Sequence, residues 1–275
     1  MKTLYISDLD GTLLNKNAEI SDYTAEKLNV LIGQGLNFSV ATARTNATVV
    51  QRLKNINIII PVVLMNGVAV YDLKSNHYVN VYPISIAGKN FLFDVIKNYI
   101  KSGFIYSIDD DTLSTYYENT DSPNALAFIE ERQKKYNKKF IQVDSFKSCL
   151  NKNIVYYSID DTAEKLIPAY EQLKQCTDLR VEFYRDIYNT DHWYLEVCSS
   201  DASKKNAVIT LKNMFAFEKV VCFGDNLNDL PMFEASDEAY AVMNAKDEVK
   251  AKADGVIASN TNDGVVKYLE NLSIL

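Results

Sequence analysis

The chain has 275 residues, of which 47% are apolar and 24% charged, which suits a soluble globular protein with room for one large or two moderate domains. A net charge of −7 argues against nucleic acid as a partner, and the basic cluster Arg132, Lys134, Lys135, Lys138 and Lys139 reads as a solvated helix face. With two histidines, and four cysteines in no CxxC spacing, a multi-histidine centre or zinc ribbon is excluded, so acid, base or metal chemistry must rest on carboxylates.

Leu4 to Ser7 is apolar and partly β-branched and predicts a short buried strand, broken off by Asp8-Leu9-Asp10-Gly11. A helix follows from Ile20 to Gln34, with Ser21 as its N-cap, Leu28, Leu31 and Ile32 on one face, and Gly35 just past its end. Leu36 to Ala41 predicts a second strand ending at Thr42, Asn46 to Leu53 a second helix, and Pro61 to Met65 a third strand ending at Asn66-Gly67. Strands alternating with helices imply a parallel sheet with right-handed crossovers. The texture then changes. Aromatic, alternating strands are expected near Phe104–Ile108, Thr112–Tyr117, Ile154–Ile159 and Arg180–Tyr184, between helices near Ala87–Lys101, Asn124–Tyr136 and Ala163–Gln175. This predicts an α+β domain at 84–190 inserted into a parallel α/β domain formed by 1–83 and 191–275. The parallel rhythm resumes with a helix capped by Ser203, a strand from Lys219 to Phe223 ending at Gly224-Asp225, and a short helix with Pro231 in its first turn. Strands at Ala239–Val242 and Val256–Ala258 and a helix from about Asp263 complete the chain. The N-terminal residues lack a signal peptide's apolar core, and the longest apolar run, Ile58 to Met65, contains Pro61 and is too short to span a bilayer. The expected compartment is the reducing cytoplasm.

Asp8 and Asp10 stand where a strand stops and a loop starts, which is where open α/β sheets bind ligands. Two like charges so close call for a cation or a shared proton. A calcium loop is a competing reading, since Asn15, Asn17 and Glu19 supply further oxygens at suitable spacing; the strand before Asp8 and Leu13-Leu14 after it argue against that. The alternative is an aspartate nucleophile beside an acid/base aspartate, with a metal between them and a phosphate. Asp109-Asp110-Asp111 and Asp160-Asp161 read as solvated turns, the first with the option of facing a substrate.

Four polar sites recur at strand or helix ends: Asp8 with Asp10, Thr42, Lys204, and Asp225 with Asn228 and Asp229. In this order they resemble the four motifs of the haloacid dehalogenase superfamily of phosphatases. The segments are Asp8 to Leu14, Ala41 to Arg44, Ala202 to Lys205 and Gly224 to Asp229. Asn66-Gly67, Ala241 to Ala245, Thr261 to Gly264 and the insert further resemble the Cof-type branch, which carries a large α/β cap. The resemblance implies a Rossmann-like core and a Mg²⁺-dependent phosphomonoester hydrolase acting on a small phosphorylated metabolite such as a sugar phosphate. It assigns Asp8 as nucleophile and Asp10 as acid/base, with Asp8, Asp225 and the Asp10 carbonyl around the metal. Leu9, Thr42, Ala43, Lys204 and Asn228 would contact the phosphoryl group or substrate, and Asp229 would orient Lys204. Asn66 would support the nucleophile loop or shape a turn, and Arg44 would contact phosphate or form a salt bridge. A lysine in a first helical turn meets the positive end of the helix dipole at a cost of about 0.3–1 kcal/mol, which a nearby anion relieves. Ala43 and Lys205 replace glycines usual in the family and bear on substrate fit. A phosphomutase or phosphotransferase on the same scaffold stays open; a non-enzymatic phospho-acceptor and a dehalogenase are disfavoured by the intact set of five residues. The insert is expected to choose the substrate, through Asp109–Asp111, Tyr116 and Tyr117.

Overall fold

In a computed structural model describing residues 1–100, 102–118, 120, 122–186, 189 and 191–272, the chain forms two units, residues 1–80 with 203–275 and residues 81–202. The first unit opens with β1 (Thr3–Ser7), where Leu4 and Ile6 are fully buried. A wide turn, Leu9–Leu13, closed by the Leu14 amide donating to the Leu9 carbonyl at 2.8 Å, leads to α1 (Asp22–Gly33), β2 (Asn37–Val40), α2 (Asn46–Leu53) and β3 (Val62–Leu64). Ser21 caps α1 by accepting from the Thr24 amide at 3.0 Å, and Leu28, Leu31 and Ile32 are its buried stripe. After β3 the chain turns into the hairpin strands β4 (Ala69–Asp72) and β5 (His77–Val81), which the sequence pattern does not anticipate.

The second unit comprises α3 (Ile86–Val95), β6 (Phe104–Asp109), β7 (Thr112–Tyr117), α4 (Pro123–Tyr136), β8 (Lys139–Gln142), β9 (Ile154–Thr162), α5 (Ala163–Leu173), β10 (Leu179–Arg185) and β11 (His192–Ser199). Its six strands run in the order β10-β11-β9-β6-β7-β8, antiparallel except for β7 beside β8. One core joins the sheet to α3 and α5, with Leu92, Ile105, Tyr157, Leu166, Leu195 and Val197 buried in it. Burying each such side chain contributes roughly 1.5–3 kcal/mol. Tyr116 is 6% exposed and belongs to this core, which corrects the expectation that it meets a substrate. Asp110 and Asp111 have φ of 46° and 60° and form the β6–β7 hairpin turn, while Asp109 accepts from Ser107 Oγ at 2.7 Å and from the Asn153 amide at 3.0 Å. These aspartates shape their own hairpin. Asp161 likewise takes Lys165 at 2.8 Å, and Asp160 takes His192 at 2.8 Å.

The chain re-enters the first unit with α6 (Lys204–Met214), β12 (Lys219–Gly224), α7 (Leu230–Phe233), β13 (Glu238–Val242), α8 (Asp247–Lys250), β14 (Gly255–Ile257) and α9 (Gly264–Glu270). The second unit thus runs to 202, where the sequence pattern closes the insert at 190. The difference is β11, which pairs with β10 and β9 and sends Leu195 and Val197 into that unit's core. The first unit's main sheet is wholly parallel, in the order β14-β13-β12-β1-β2, and one parallel bridge from Ala41 to Val63 carries it on to β3.

Candidate active site

β1 and β12 are neighbours at the centre of the parallel sheet, and the strands flanking them lead outward in opposite directions. Ligands of open α/β sheets bind outside the carboxyl ends of strands at such a reversal. Asp8 follows β1 directly, its amide donating to the Phe223 carbonyl at 2.9 Å, and Asp225 follows β12. Gly11, at φ +85°, turns the loop so closely over Asp225 that a Cβ would lie 2.4 Å from Asp225 Oδ2. Thr12 Oγ1 donates to Asp225 Oδ1 at 2.8 Å and ties the two strand ends together.

Lys204 is the first residue of α6, whose Ser203 cap accepts from the Asn206 amide at 3.0 Å. Its Nζ donates to Asp8 Oδ1 at 2.6 Å and to Asp229 Oδ1 at 2.7 Å. The Lys204 and Asp229 side chains are 1% and 0% exposed. Asp229 Oδ2 accepts from the Asp225 and Asn226 amides at 2.9 and 3.0 Å, so both of its oxygens are committed. Burial alone would lower the Lys204 pKa, but the carboxylates of Asp8 and Asp229 reverse that and hold it above an ordinary lysine. Burial pushes the Asp8 carboxyl well up, with the Lys204 ammonium working against it. Asp225 is pushed up to about 6, first by burial and then by the Asp229 charge, while the Thr12 hydrogen bond pulls it down.

One oxygen from each of Asp8, Asp225 and Asp229 lies within 4.8 Å of the others. With Asp229 saturated, Asp8 Oδ1 on Lys204 and Asp225 Oδ1 on Thr12, the described residues leave the second oxygens of Asp8 and Asp225 for another ligand. Closely spaced carboxylate oxygens of this kind fit a hard divalent cation.

The remaining expected residues gather in the same unit. Thr42 is fully buried; its carbonyl accepts from the Asn66 amide at 2.9 Å and its Oγ1 from the Arg44 amide at 3.2 Å. Arg44 makes a salt bridge, the second of the two readings open to it: Nε and Nη2 donate to the two Asp10 oxygens at 2.7 and 2.6 Å. The Asp10 side chain stands outside the three-carboxylate cluster. Asn228 Nδ2 donates to Asn66 Oδ1 at 3.2 Å, and Asn66 sits in a turn where Met65, Asn66 and Gly67 all have positive φ. Leu9 is fully buried, whereas Ala43 is exposed. Lys205 lies away from this group, 3.1 Å from Glu234 at the surface.

Sequence reasoning missed the supports of the loop. Asn244 Nδ2 donates to the Gly11 carbonyl at 2.8 Å, Asn260 Nδ2 to the Leu14 carbonyl at 2.8 Å, and the Asn260 amide to Asn244 Oδ1 at 3.0 Å. Asn244 follows β13 at the sheet's carboxyl edge, inside the Ala241–Ala245 segment that resembles the Cof-type branch, where the resemblance assigns it no role. Thr12 lies within the first motif, where the pattern alone assigns it no role.

Comparison with known proteins finds the pattern of haloacid dehalogenase-like hydrolases across residues 5–269. The chain is 26% identical over 289 residues to the 5-amino-6-(5-phospho-D-ribitylamino)uracil phosphatase YwtE of Bacillus subtilis, covering 99% of this chain and 98% of the relative. It is 22% identical over 269 residues to the pyridoxal phosphate phosphatase YbhA of Escherichia coli, covering 95% of each. The crystal structure of TM0651 from Thermotoga maritima superimposes with a TM-score of 0.79 at 25% identity, covering 99% of this chain and 98% of that one.

Proposed function

The chain belongs to the haloacid dehalogenase-like hydrolase family as a phosphatase, and from that premise we propose that it is a Mg²⁺-dependent hydrolase of small phosphorylated metabolites, sugar phosphates among them, working through an aspartyl-phosphate on Asp8. The observation that carries this reading is the Asp8 carboxylate held at 2.6 Å by a lysine that Asp229 anchors in turn. Lys204 holds the Asp8 carboxylate in place; with one of its oxygens set aside for the metal, the other is the one aimed at phosphorus. As that oxygen bonds to phosphorus, the ester P–O bond breaks with its electron pair going to the leaving oxygen, which takes a proton from Asp10. In the second half, Asp10 takes a proton from water as the water oxygen attacks phosphorus. The Asp8–phosphorus bond breaks and returns its electrons to the carboxylate. Lys204 and the Thr42 hydroxyl hold phosphoryl oxygens as charge spreads over them. Asn228 and the backbones at Leu9 and Ala43 complete that grip. Bound Mg²⁺, on the carboxylates of Asp8 and Asp225 and the carbonyl of Asp10, would neutralise phosphoryl charge.

A phosphorylated ribityl group and pyridoxal phosphate appear in the names of the two relatives, which supports a small polar leaving group. The insert is the proposed source of discrimination, because the phosphoryl-gripping residues all lie in the other unit. The proposed compartment is the reducing cytoplasm, in keeping with four free cysteines; among the described residues no helix is long and apolar enough to cross a membrane. The test is inorganic phosphate release from a panel of sugar and cofactor phosphates, with Mg²⁺ and with chelator. The proposal expects release that chelator abolishes and Mg²⁺ restores. Full activity in excess chelator would refute the metal assignment.

A further inference from the structure

The Arg44–Asp10 pair is built for orientation. The Arg44 backbone is locked on both sides: its amide donates to Thr42 Oγ1 at 3.2 Å, and its carbonyl accepts from the Met65 amide at 3.1 Å. The guanidinium then takes both Asp10 oxygens, Nε donating to Oδ2 at 2.7 Å and Nη2 to Oδ1 at 2.6 Å. The side chains are 23% and 47% exposed, and ion pairs in that setting add little to stability. What a planar fork adds is a fixed plane and direction for the carboxyl group, which a lysine, as a point charge, does not supply. The loop backbone around Asp10 is held at Asp8, Gly11 and Thr12, so the direction left for Arg44 to set is that of the half-exposed Asp10 side chain.

We propose that Arg44 is a positioning residue for proton transfer: its guanidinium fork aims the Asp10 carboxyl group at the leaving-group oxygen, one fork bond opening to free an oxygen for the proton while the other keeps the group in line. This rests on the phosphatase reading and extends it. Arg44 itself does not touch the substrate. It matters in proportion to how much the leaving oxygen needs a proton. An alkyl oxygen, as in a hexose 6-phosphate, needs one as the P–O bond breaks; 4-nitrophenolate leaves without one.

The experiment is rapid-quench measurement of aspartyl-phosphate formation from 4-nitrophenyl phosphate and from a hexose 6-phosphate turned over by the wild type, together with the inhibition constant of inorganic phosphate. The enzymes are wild type, Arg44→Gln, Arg44→Lys, Asp10→Asn and Asp10→Asn/Arg44→Gln, each checked by thermal melting. Misaim of a proton donor should cost Arg44→Gln about a hundredfold with the hexose phosphate. The aryl ester should change by less than about threefold, and phosphate inhibition should stay unchanged. Arg44→Lys should resemble Arg44→Gln, and in the Asp10→Asn background the loss of Arg44 should add nothing more. Equal losses with both esters, together with weakened phosphate inhibition, would overturn the proposal and make Arg44 a phosphoryl ligand. Full rescue by lysine would overturn the fork, and no effect with either ester would reduce the pair to a surface ion pair. If the wild type forms no aspartyl-phosphate from the aryl ester, the phosphatase mechanism itself fails, whatever Arg44 does.

Discussion

Lys204 and Lys205 are adjacent in sequence and opposite in environment. Lys204 is 1% exposed between two carboxylates, so Lys204→Ala leaves Asp8 and Asp229 buried without a counter-charge. Breaking a buried pair in this way costs about 3–5 kcal/mol. Loss of a donor facing the transferring phosphoryl group should lower kcat by about a hundredfold or more. Lys205, on the surface beside Glu234, should tolerate alanine within about 1 kcal/mol and about tenfold in kcat/KM. Steady-state kinetics and thermal melting of both variants check this, and equal effects would mean the two lysines have been confused. The sequence pointed to Lys204 through its motif and through the cost of a cation in a first helical turn. It did not reveal that Arg44 would choose Asp10. The two are 34 positions apart, and their meeting depends on loop conformations that no local pattern encodes.

The turn Met65–Gly67 places α6. At Gly67, φ is +96° and a Cβ would lie 2.0 and 2.1 Å from the carbonyl carbon and oxygen of Ser203, the residue that caps the helix bearing Lys204. Gly67→Ala therefore has to shift either the turn or the helix start. Conformational strain alone costs about 1–3 kcal/mol, and displacement of Lys204 should lower kcat as well. At Gly33, near the end of α1, an added Cβ would meet nothing within 4 Å, so Gly33→Ala should gain about 0.5–1 kcal/mol and leave activity intact. Melting temperatures and kcat for the pair decide the matter; a harmless Gly67→Ala would show that the turn does not set the helix. The parallel strands were legible because burial on both faces leaves continuous apolar runs such as Val220 to Phe223. β11 was not. On the face opposite Leu195 and Val197 it carries Tyr194 and the buried Cys198, which blur the alternation of buried and exposed positions. β4, β5 and β8 are four or five residues each, too short for periodicity to stand out.

At the scale of the whole molecule, the proposed nucleophile and acid/base carboxylates, the lysine and the metal-competent pair come from residues 1–80 and 203–275, so the chemical machinery is assembled within one unit. That division was readable because the inserted segment changes texture, from apolar parallel strands to aromatic alternating ones, although its far edge lies beyond the place that the motif pattern suggests. The central claim is that turnover passes through a phosphoryl group on Asp8. The most direct measurement is mass spectrometry of enzyme acid-quenched during turnover of an aryl phosphate with Mg²⁺, followed by peptide mapping. The account predicts one phosphoryl group, labile to hydroxylamine, on the peptide containing Asp8, and none in Asp8→Asn, which should be inactive. Sustained turnover with no adduct on that peptide, or an active Asp8→Asn enzyme free of deamidation, would contradict it.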